Sequence, residues 1–472
     1  MTIVTKIGTQ VSVFGVEAES KQSRSRAEAE SKQSRSRAEA ESKQSRRGVM
    51  GQGSEAGNET KGSNDDRYIV ISADGHAGGN IPDYRPYLDS RWHDEFDAWA
   101  ADFENPYEDL EGDLGTRNWD SKRRMADLEA DGQVAEIIYP NTIPPFYPKT
   151  SLTAQPPALT QNDSDRRWAG LQAHNRWLAD FCADYPGRRA GVAQINLLNI
   201  AGSVGEIRWA HEHGLTGGVL LPGTPPGSGM DQLHHHSYEP IWQVCEELGM
   251  PVNHHTGSAA PPMGPDPEDT ITFLLEVTWY AHRAFYQLIL GGALERHPDM
   301  QLVFTEQGTA WIPDELARLD GFFARMKHSN GSQEQVWGES VMKTLSLSPS
   351  EYWARQCHVG ASFIRPIELG VRHQVGVDRI MWGSDYPHKE ASTPYSREAI
   401  ALSFAGIPRD EVEMMLSKNA AKLYGFDLDF LRPIADRIGP KVGDVFAGLP
   451  PRAVPGDANM CPAFAGYEFA TE

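Results

Sequence analysis

From Arg67 onward, short and almost uninterrupted apolar runs alternate with stretches whose apolar residues recur every three or four positions. Eight runs, Tyr68–Ala73, Val134–Tyr139, Ala190–Leu198, Gly218–Leu221, Pro251–His254, Gln301–Thr305, Cys357–Phe363 and Arg379–Gly383, predict strands buried on both faces. Segments such as Val204–His213 and Tyr238–Leu248 predict amphipathic helices between them. Long Pro/Gly-rich loops follow several strands, at Asn141–Ser151, Pro222–Met230 and Gly257–Asp269. Eight strands with intervening helices predict an α/β fold, a distorted (β/α)8 TIM-like barrel with long loops on its C-terminal face. A doubly wound open sheet is the rival, but no G-x-G-x-x-G opens a helix after the first strand.

The two ends of the chain break this pattern. Between Ala18 and Arg46 an A-E-S-K-Q-S-R-S-R-A-E unit recurs with an 11-residue period whose only apolar residue is alanine. Such a repeat has no seam to bury, so residues 1–66 are expected to be a disordered low-complexity segment and linker. The barrel is expected over 67–424, and the Pro/Gly-rich stretch 425–472 as a peripheral tail. The N-terminal segment is nearly neutral, so the formal charge of −21 over 472 residues resides on the folded part. That acidity argues against nucleic-acid binding and against attachment to an anionic membrane. Cys182, Cys245, Cys357 and Cys461 show no paired spacing, and no secretory signal pattern opens the chain; a cytoplasmic location is expected.

Charged and imidazole groups stand where the predicted strands stop. The first ends Ser72-Ala73-Asp74-Gly75-His76, and residues two apart share one side of a strand. The second holds Glu136 inside an apolar run, and the fifth continues into His254-His255-Thr256-Gly257. The sixth ends Thr305-Glu306-Gln307-Gly308, and the eighth Gly383-Ser384-Asp385-Tyr386-Pro387-His388. His254 and His255 face opposite ways; His255, beside the Thr-Gly turn, is taken as the inward one. Singly these residues have bland readings: Asp74 as a turn residue beside a surface histidine, Glu136 as the partner of a buried arginine. Together, Asp74, Glu136, Glu306 and Asp385 would meet at one mouth and repel. A divalent metal is the simplest compensation, and imidazole plus carboxylate without thiolate suits Zn, Mn or Fe.

The D-x-H end of the first strand, H-T-G after the fifth, G-S-D-Y-P-H after the eighth and N-A-x-x-L-Y-G from Asn419 resemble the amidohydrolase-related branch of the amidohydrolase superfamily. The resemblance runs from about Tyr68 to Tyr424 and implies a metal-dependent hydrolase or nonoxidative decarboxylase on a distorted barrel. It implies Asp74 and His76 as first-strand ligands, His255 as the fifth-strand ligand and Asp385 as the eighth-strand ligand or base. Many members present a His-Gly-Gly-type segment after strand six, where this chain has Glu306-Gln307-Gly308. No lysine stands at the end of strand four, which closes Leu220-Leu221-Pro222. With Glu136 and His388 as further candidates, the expected metal set is Asp74, His76, Glu136, His255, Glu306, Asp385 and His388, for one or two ions.

Two chemistries are expected of such a site, on a small organic substrate, carboxylated or cyclic. In the first, a metal-bound water with Asp385 or Glu306 shuttling its proton attacks a carbonyl, or the metal grips the carboxylate that a decarboxylase expels. The alternative is a nonheme dinuclear iron (Fe/Fe or Fe/Mn) monooxygenase, for which four carboxylates lean toward two metals. A noncatalytic subunit with a degenerate site is the third reading. A homo- or hetero-oligomer is compatible with the chain. Phe146, Tyr147, Trp311 and Tyr386 are candidate pocket walls or core fillers, and Arg365 a candidate partner for a substrate carboxylate or for a surface acid.

Overall fold

The computed structural model describes residues 63–105, 110–148, 158, 160–224, 228–261, 263–328 and 331–470. The repeat segment lies outside them up to residue 62. The compact unit begins at Ser63, slightly before the expected boundary at residue 67. The Asn64 and Asp66 carbonyls accept from the Gly443 and Val442 amides at 2.9 and 2.8 Å, which ties the end of the expected linker into the fold.

Among the described residues nine strands follow: β1 (Ile71–Ala77), β2 (Ala135–Pro140), β3 (Arg189–Gly191), β4 (Ala193–Gln194), β5 (Val219–Leu220), β6 (Val252–His255), β7 (Leu302–Thr305), β8 (Cys357–Ser362) and β9 (Ile380–Gly383). Neighbours pair in parallel as a three-stranded sheet β1-β2-β3 and a six-stranded sheet from β4 to β9 in order. β3 and β4 are one apolar run interrupted at Val192. The Val192 amide donates to the Ile138 carbonyl and the Ala193 amide to the Gly218 carbonyl, both at 2.9 Å, so this run links the two sheets. At the other seam the Asp385 amide donates to the Asp74 carbonyl at 2.8 Å and the His76 amide to the Tyr386 carbonyl at 2.7 Å. The strands thus follow one another round eight positions, one for each of the eight apolar runs.

Two boundaries depart from the hydrophobic pattern. β1 continues past Ala73 to Ala77 because pairing of Gly75–Ala77 with Ile138–Pro140 of β2, and a bridge to the chain after β9, hold it extended. The third run stops at Gln194, not Leu198, because Asn196 turns the chain: its side chain accepts from the Leu198 amide at 2.8 Å.

Ile71, Ala73, Ala135, Ile137, Tyr139, Val303 and Met381 fill the interior, joined by Tyr424, Leu431 and Ala435 from the C-terminal part. The segment after 424 therefore supplies core, through the helix Leu428–Ile438. Outward residues such as Val219, Val252, Phe304, Val359 and Ile380 belong to the larger cluster under the helices. Above the interior apolar layer lies a polar floor. The Tyr139 hydroxyl sits 3.1 Å from Asn253 Oδ1 and 2.8 Å from Thr305 Oγ1, and the Tyr424 hydroxyl donates to Asn253 Oδ1 at 2.9 Å. Among the described residues no helix is long and apolar enough to cross a membrane.

The helix Ser121–Ala130 starts at Asp120, whose carboxylate accepts from the Lys122 and Arg123 amides. Its Arg124 is fully buried against the barrel and grips Glu136 in bidentate fashion, Nε at 2.9 Å and Nη2 at 2.6 Å. Arg124 Nη1 also donates to the His76 carbonyl at 2.7 Å, which braces the end of β1. Breaking a buried pair strands the surviving charge, so Arg124→Met is expected to cost about 3–5 kcal/mol. The double variant Arg124→Met/Glu136→Leu should recover most of that in denaturant unfolding.

Candidate metal centre

The ends of β1, β6 and β9 bring four side chains together. His76 Nε2 lies 3.3 Å from Asp74 Oδ1 and 3.0 Å from Asp385 Oδ1, and His255 Nε2 lies 3.3 Å from Asp74 Oδ1. Asp74 and Asp385 are completely buried, and both histidines nearly so. Gly383 permits this approach, since a Cβ there would meet the Asp74 Cβ at 2.7 Å. Asp385 takes a left-handed backbone, φ 62°, immediately after β9, and Glu306 does so after β7, φ 58°.

Both histidines present the same face to the cluster. His255 Nδ1 donates to the Thr256 carbonyl at 2.8 Å, and His76 Nδ1 faces the Pro140 carbonyl at 3.4 Å. A carbonyl accepts only, so each Nδ1 carries the proton and each Nε2 lone pair faces the carboxylates. Ser362, at the end of β8, donates to Asp74 Oδ2. His76 Nε2 and both Asp385 oxygens are buried without a hydrogen-bond partner. Lone pairs and carboxylate oxygens 3.0–3.3 Å apart require a cation between them. Two imidazoles and two carboxylates fit a divalent first-row ion such as Mn, Fe or Zn.

In the metal-free chain protons stand in for that cation. Burial would raise Asp74 and Asp385, but His255 and His76 hold Asp74 low, and His388 and His76 hold Asp385 low. Burial would lower His76 and His255; the facing carboxylates hold both up. Glu306 and His388 form the rim, with side chains about one fifth exposed. Glu306 Oε2 is 3.4 Å from His255 Nδ1, and burial beside Asp385 and Asp74 pushes it up to about 8 against the pull of His255. His388 Nδ1 is 3.4 Å from Asp385 Oδ2, and its ring stacks on His76 with centroids 4.3 Å apart. Burial works against its charged form, but Asp385 and Glu306 carry it to about 10.

Of the expected set, Asp74, His76 and His255 form one potential ligand group, and His76, Asp385 and His388 an overlapping one. Glu306 stands beside them at the rim. Glu136 does not join. It alternates with the inward Ile137 and points outward, where Arg124 holds both its oxygens and Arg189 faces it at 3.5 Å. Its bland reading is the correct one, and the expectation of a metal ligand fails because the carboxylate is already neutralised. His254 likewise faces out, its Nδ1 3.0 Å from the Leu221 carbonyl. Phe146, Tyr147 and Tyr386 are buried core, Trp311 stacks on His282, and Arg365 pairs with Glu368 at 3.0 Å. Ser362 and Asn141, whose Oδ1 lies 3.1 Å from His388 Nε2, are neutral polar residues at strand ends and carry no charge or imidazole signal in the sequence.

Comparison with known proteins places the chain in a family. The family description Amidohydrolase matches residues 130–426, more than half of the chain. The chain belongs to the amidohydrolase family. No curated protein matches it. The 5-carboxyvanillate decarboxylase of Sphingomonas paucimobilis is 16% identical, with TM-score 0.55 over 76% of this chain and 100% of that one. The manganese-bound 5-carboxyvanillate decarboxylase of Novosphingobium aromaticivorans, complexed with 4-hydroxy-3-methoxy-5-nitrobenzoic acid, is 20% identical, with TM-score 0.55 over 79% and 100%. An amidohydrolase of Mycobacterium avium subsp. paratuberculosis is 18% identical, with TM-score 0.55 over 76% and 99%. At these identities the likeness is one of fold.

His255→Ala and Asp74→Ala should lose bound metal while keeping the circular dichroism of the folded barrel. Glu136→Gln should keep full metal occupancy and melt at a lower temperature. Metal loss in Glu136→Gln would return that residue to the site.

Proposed function

We propose that this amidohydrolase is a nonoxidative decarboxylase using one divalent ion and a small carboxylated substrate. The observation that carries this reading is the cradle of Asp74, His76, His255 and Asp385, with three buried ligand atoms left unpartnered. The names of the 5-carboxyvanillate decarboxylases sharing the fold support a carboxylated phenol as the substrate class. Charge supports a single ion. With Glu136 neutralised elsewhere and Glu306 pushed up to about 8 by burial beside Asp385 and Asp74, the mouth holds two charged carboxylates at neutral pH, Asp74 and Asp385, which one divalent ion balances. The dinuclear monooxygenase alternative has lost the acid that argued for a second metal.

When bound, the ion supplies a fixed positive charge that holds anionic oxygens of the substrate. Asp74, His76, His255 and Asp385 hold the ion. Glu306 at the rim donates a proton to the carbon that the carboxylate leaves. The carbon–carboxylate bond breaks, its electron pair stays on the carbon and takes that proton, CO2 departs, and water reprotonates Glu306. The four cysteines are buried and unpaired, which supports the cytoplasm as the compartment.

Manganese-loaded protein given carboxylated phenols should release CO2 without consuming O2, and in D2O should place deuterium on the vacated carbon. Glu306→Gln should slow turnover roughly 10²–10⁴-fold at unchanged metal content. Hydrolysis of esters or lactones with no CO2 from any carboxylated phenol would move the chain to the hydrolase chemistry of its family. O2 uptake with two irons per chain would revive the oxygenase.

The reading includes a homodimer. In the helix Pro267–Ala281 only Ala281 is buried, although Ile271, Leu274, Leu275 and Trp279 form a stripe at helical spacing and are each more than half exposed. A helix of this length draws its stability from packing, so this stripe needs a cover. With the exposed Met263 it presents on the order of 600 Å² of apolar surface, most of the ~800 Å² per partner of a standard interface. A second copy running antiparallel about a two-fold axis meets it with the same stripe. Sedimentation velocity of the full chain should show a dimer that Leu275→Glu/Trp279→Glu converts to monomer, whereas Phe446→Glu, at another exposed apolar site, does not. A wild-type monomer at high micromolar concentration would overturn the assignment.

A further inference from the structure

Behind the rim, a chain of side-chain amides leads from a helix to His388. Asn118, in the helix Gly112–Trp119, donates its Nδ2 to the Gly115 carbonyl at 3.1 Å. Asn141, just past β2, donates its Nδ2 to Asn118 Oδ1 at 2.6 Å. Asn141 Oδ1 in turn lies 3.1 Å from His388 Nε2. Asn118, Asn141 and Gly115 are buried.

The direction of every bond in this chain follows from its first member. A backbone carbonyl accepts only, so the Asn118 group facing Gly115 is its NH2 and the group facing Asn141 is its oxygen. An oxygen accepts only, so Asn141 turns its NH2 toward Asn118 and its own oxygen toward His388. The His388 nitrogen meeting that oxygen must carry a hydrogen. The Gly115 carbonyl is itself fixed, because the residue is packed so closely that a Cβ would meet the Leu110 carbonyl oxygen at 2.6 Å and the Trp119 ring at 2.7 Å. We propose that Asn118 and Asn141 are positioning residues that lock His388 with Nε2 as an N–H, so that Nδ1 is the edge it keeps on Asp385. The side-chain hydrogen bonds of this relay run to Gly115, between the two asparagines and to His388. They act by setting which edge of the His388 ring meets Asp385, as outer partners do for metal-site histidines. The inference rests on the mouth of the barrel being the active site, and it holds whichever reaction occurs there.

Full-length protein labelled with ¹⁵N-histidine, metal-free and loaded with diamagnetic Zn, tests the lock without turnover. His388, assigned by its loss in His388→Gln, should show a protonated, pyrrole-type Nε2 with a protected proton in both states. Asn141→Leu should abolish that protection, and Asn141→Asp, which keeps an acceptor facing Nε2, should restore it. Asn118→Leu should loosen the lock at one remove and weaken Zn binding about tenfold, with circular dichroism unchanged. Should Asn118→Leu fail to fold, the two Asn141 variants carry the test. A pyridine-type Nε2 in the wild type, or an unchanged Nε2–H signal in Asn141→Leu, would overturn the proposal. Absence of CO2 release alongside a protected Nε2–H would refute the decarboxylase reading and leave the lock standing.

Discussion

The hydrogen bond from the Asp385 amide to the Asp74 carbonyl joins the last strand to the first. It also forces two buried carboxylates into one small volume, because both residues lie at that seam. The ring of strands gains its closure and the mouth inherits a concentration of negative charge that only cations relieve. The two imidazoles turned inward at Nε2, the missing Cβ of Gly383 and the left-handed turn at Asp385 are all consistent with that demand. The buried Glu136 is compensated by another route, with a guanidinium from outside the barrel. The same chain therefore balances buried acids in different ways, Glu136 permanently with Arg124 and the pair at the mouth with a site left open to an ion.

Much of the fold was legible because parallel barrel strands are buried on both faces and write themselves as apolar runs. All eight runs became strand positions, with ends shifted by a few residues where tertiary pairing overrode pattern. β1 outran its apolar stretch because it pairs there with Ile138–Pro140 of β2 on one side and bridges to the segment after β9, more than three hundred residues away in sequence, on the other. The third run broke at Val192 to pair with two different neighbours, which no local signal records. The tail looked peripheral by composition, yet Leu431 and Ala435 fill the barrel interior from below. Apolar residues spaced along the helix Leu428–Ile438 carried that information, diluted by the surrounding Pro and Gly.

The site was legible where strand parity decides direction. Alternation allows only one of His254 and His255 to face inward, the adjoining Thr-Gly turn selects His255, and the two-residue spacing unites Asp74 with His76. The same rule, applied to Glu136 and Tyr139 on β2, would have sent the glutamate outward, since Tyr139 reaches Asn253 inside. What misled was the sum of charges, which counts acids without knowing which arginines are buried beside them. Ser362 and Asn141 escaped because neutral polar residues at strand ends are common, and only their partners in space make them informative.

The polar floor beneath the cradle has an implication for how the protein is made. Tyr424 completes it by bonding to Asn253, and the final cradle residue, Asp385, is more than three hundred positions after Asp74. A growing chain emerging from the ribosome carries the β1 carboxylate and imidazole long before the opposite wall exists. Until the last helices appear, no enclosed cavity is present to select an ion by coordination geometry. A coordination geometry able to select an ion therefore exists only once the barrel has closed.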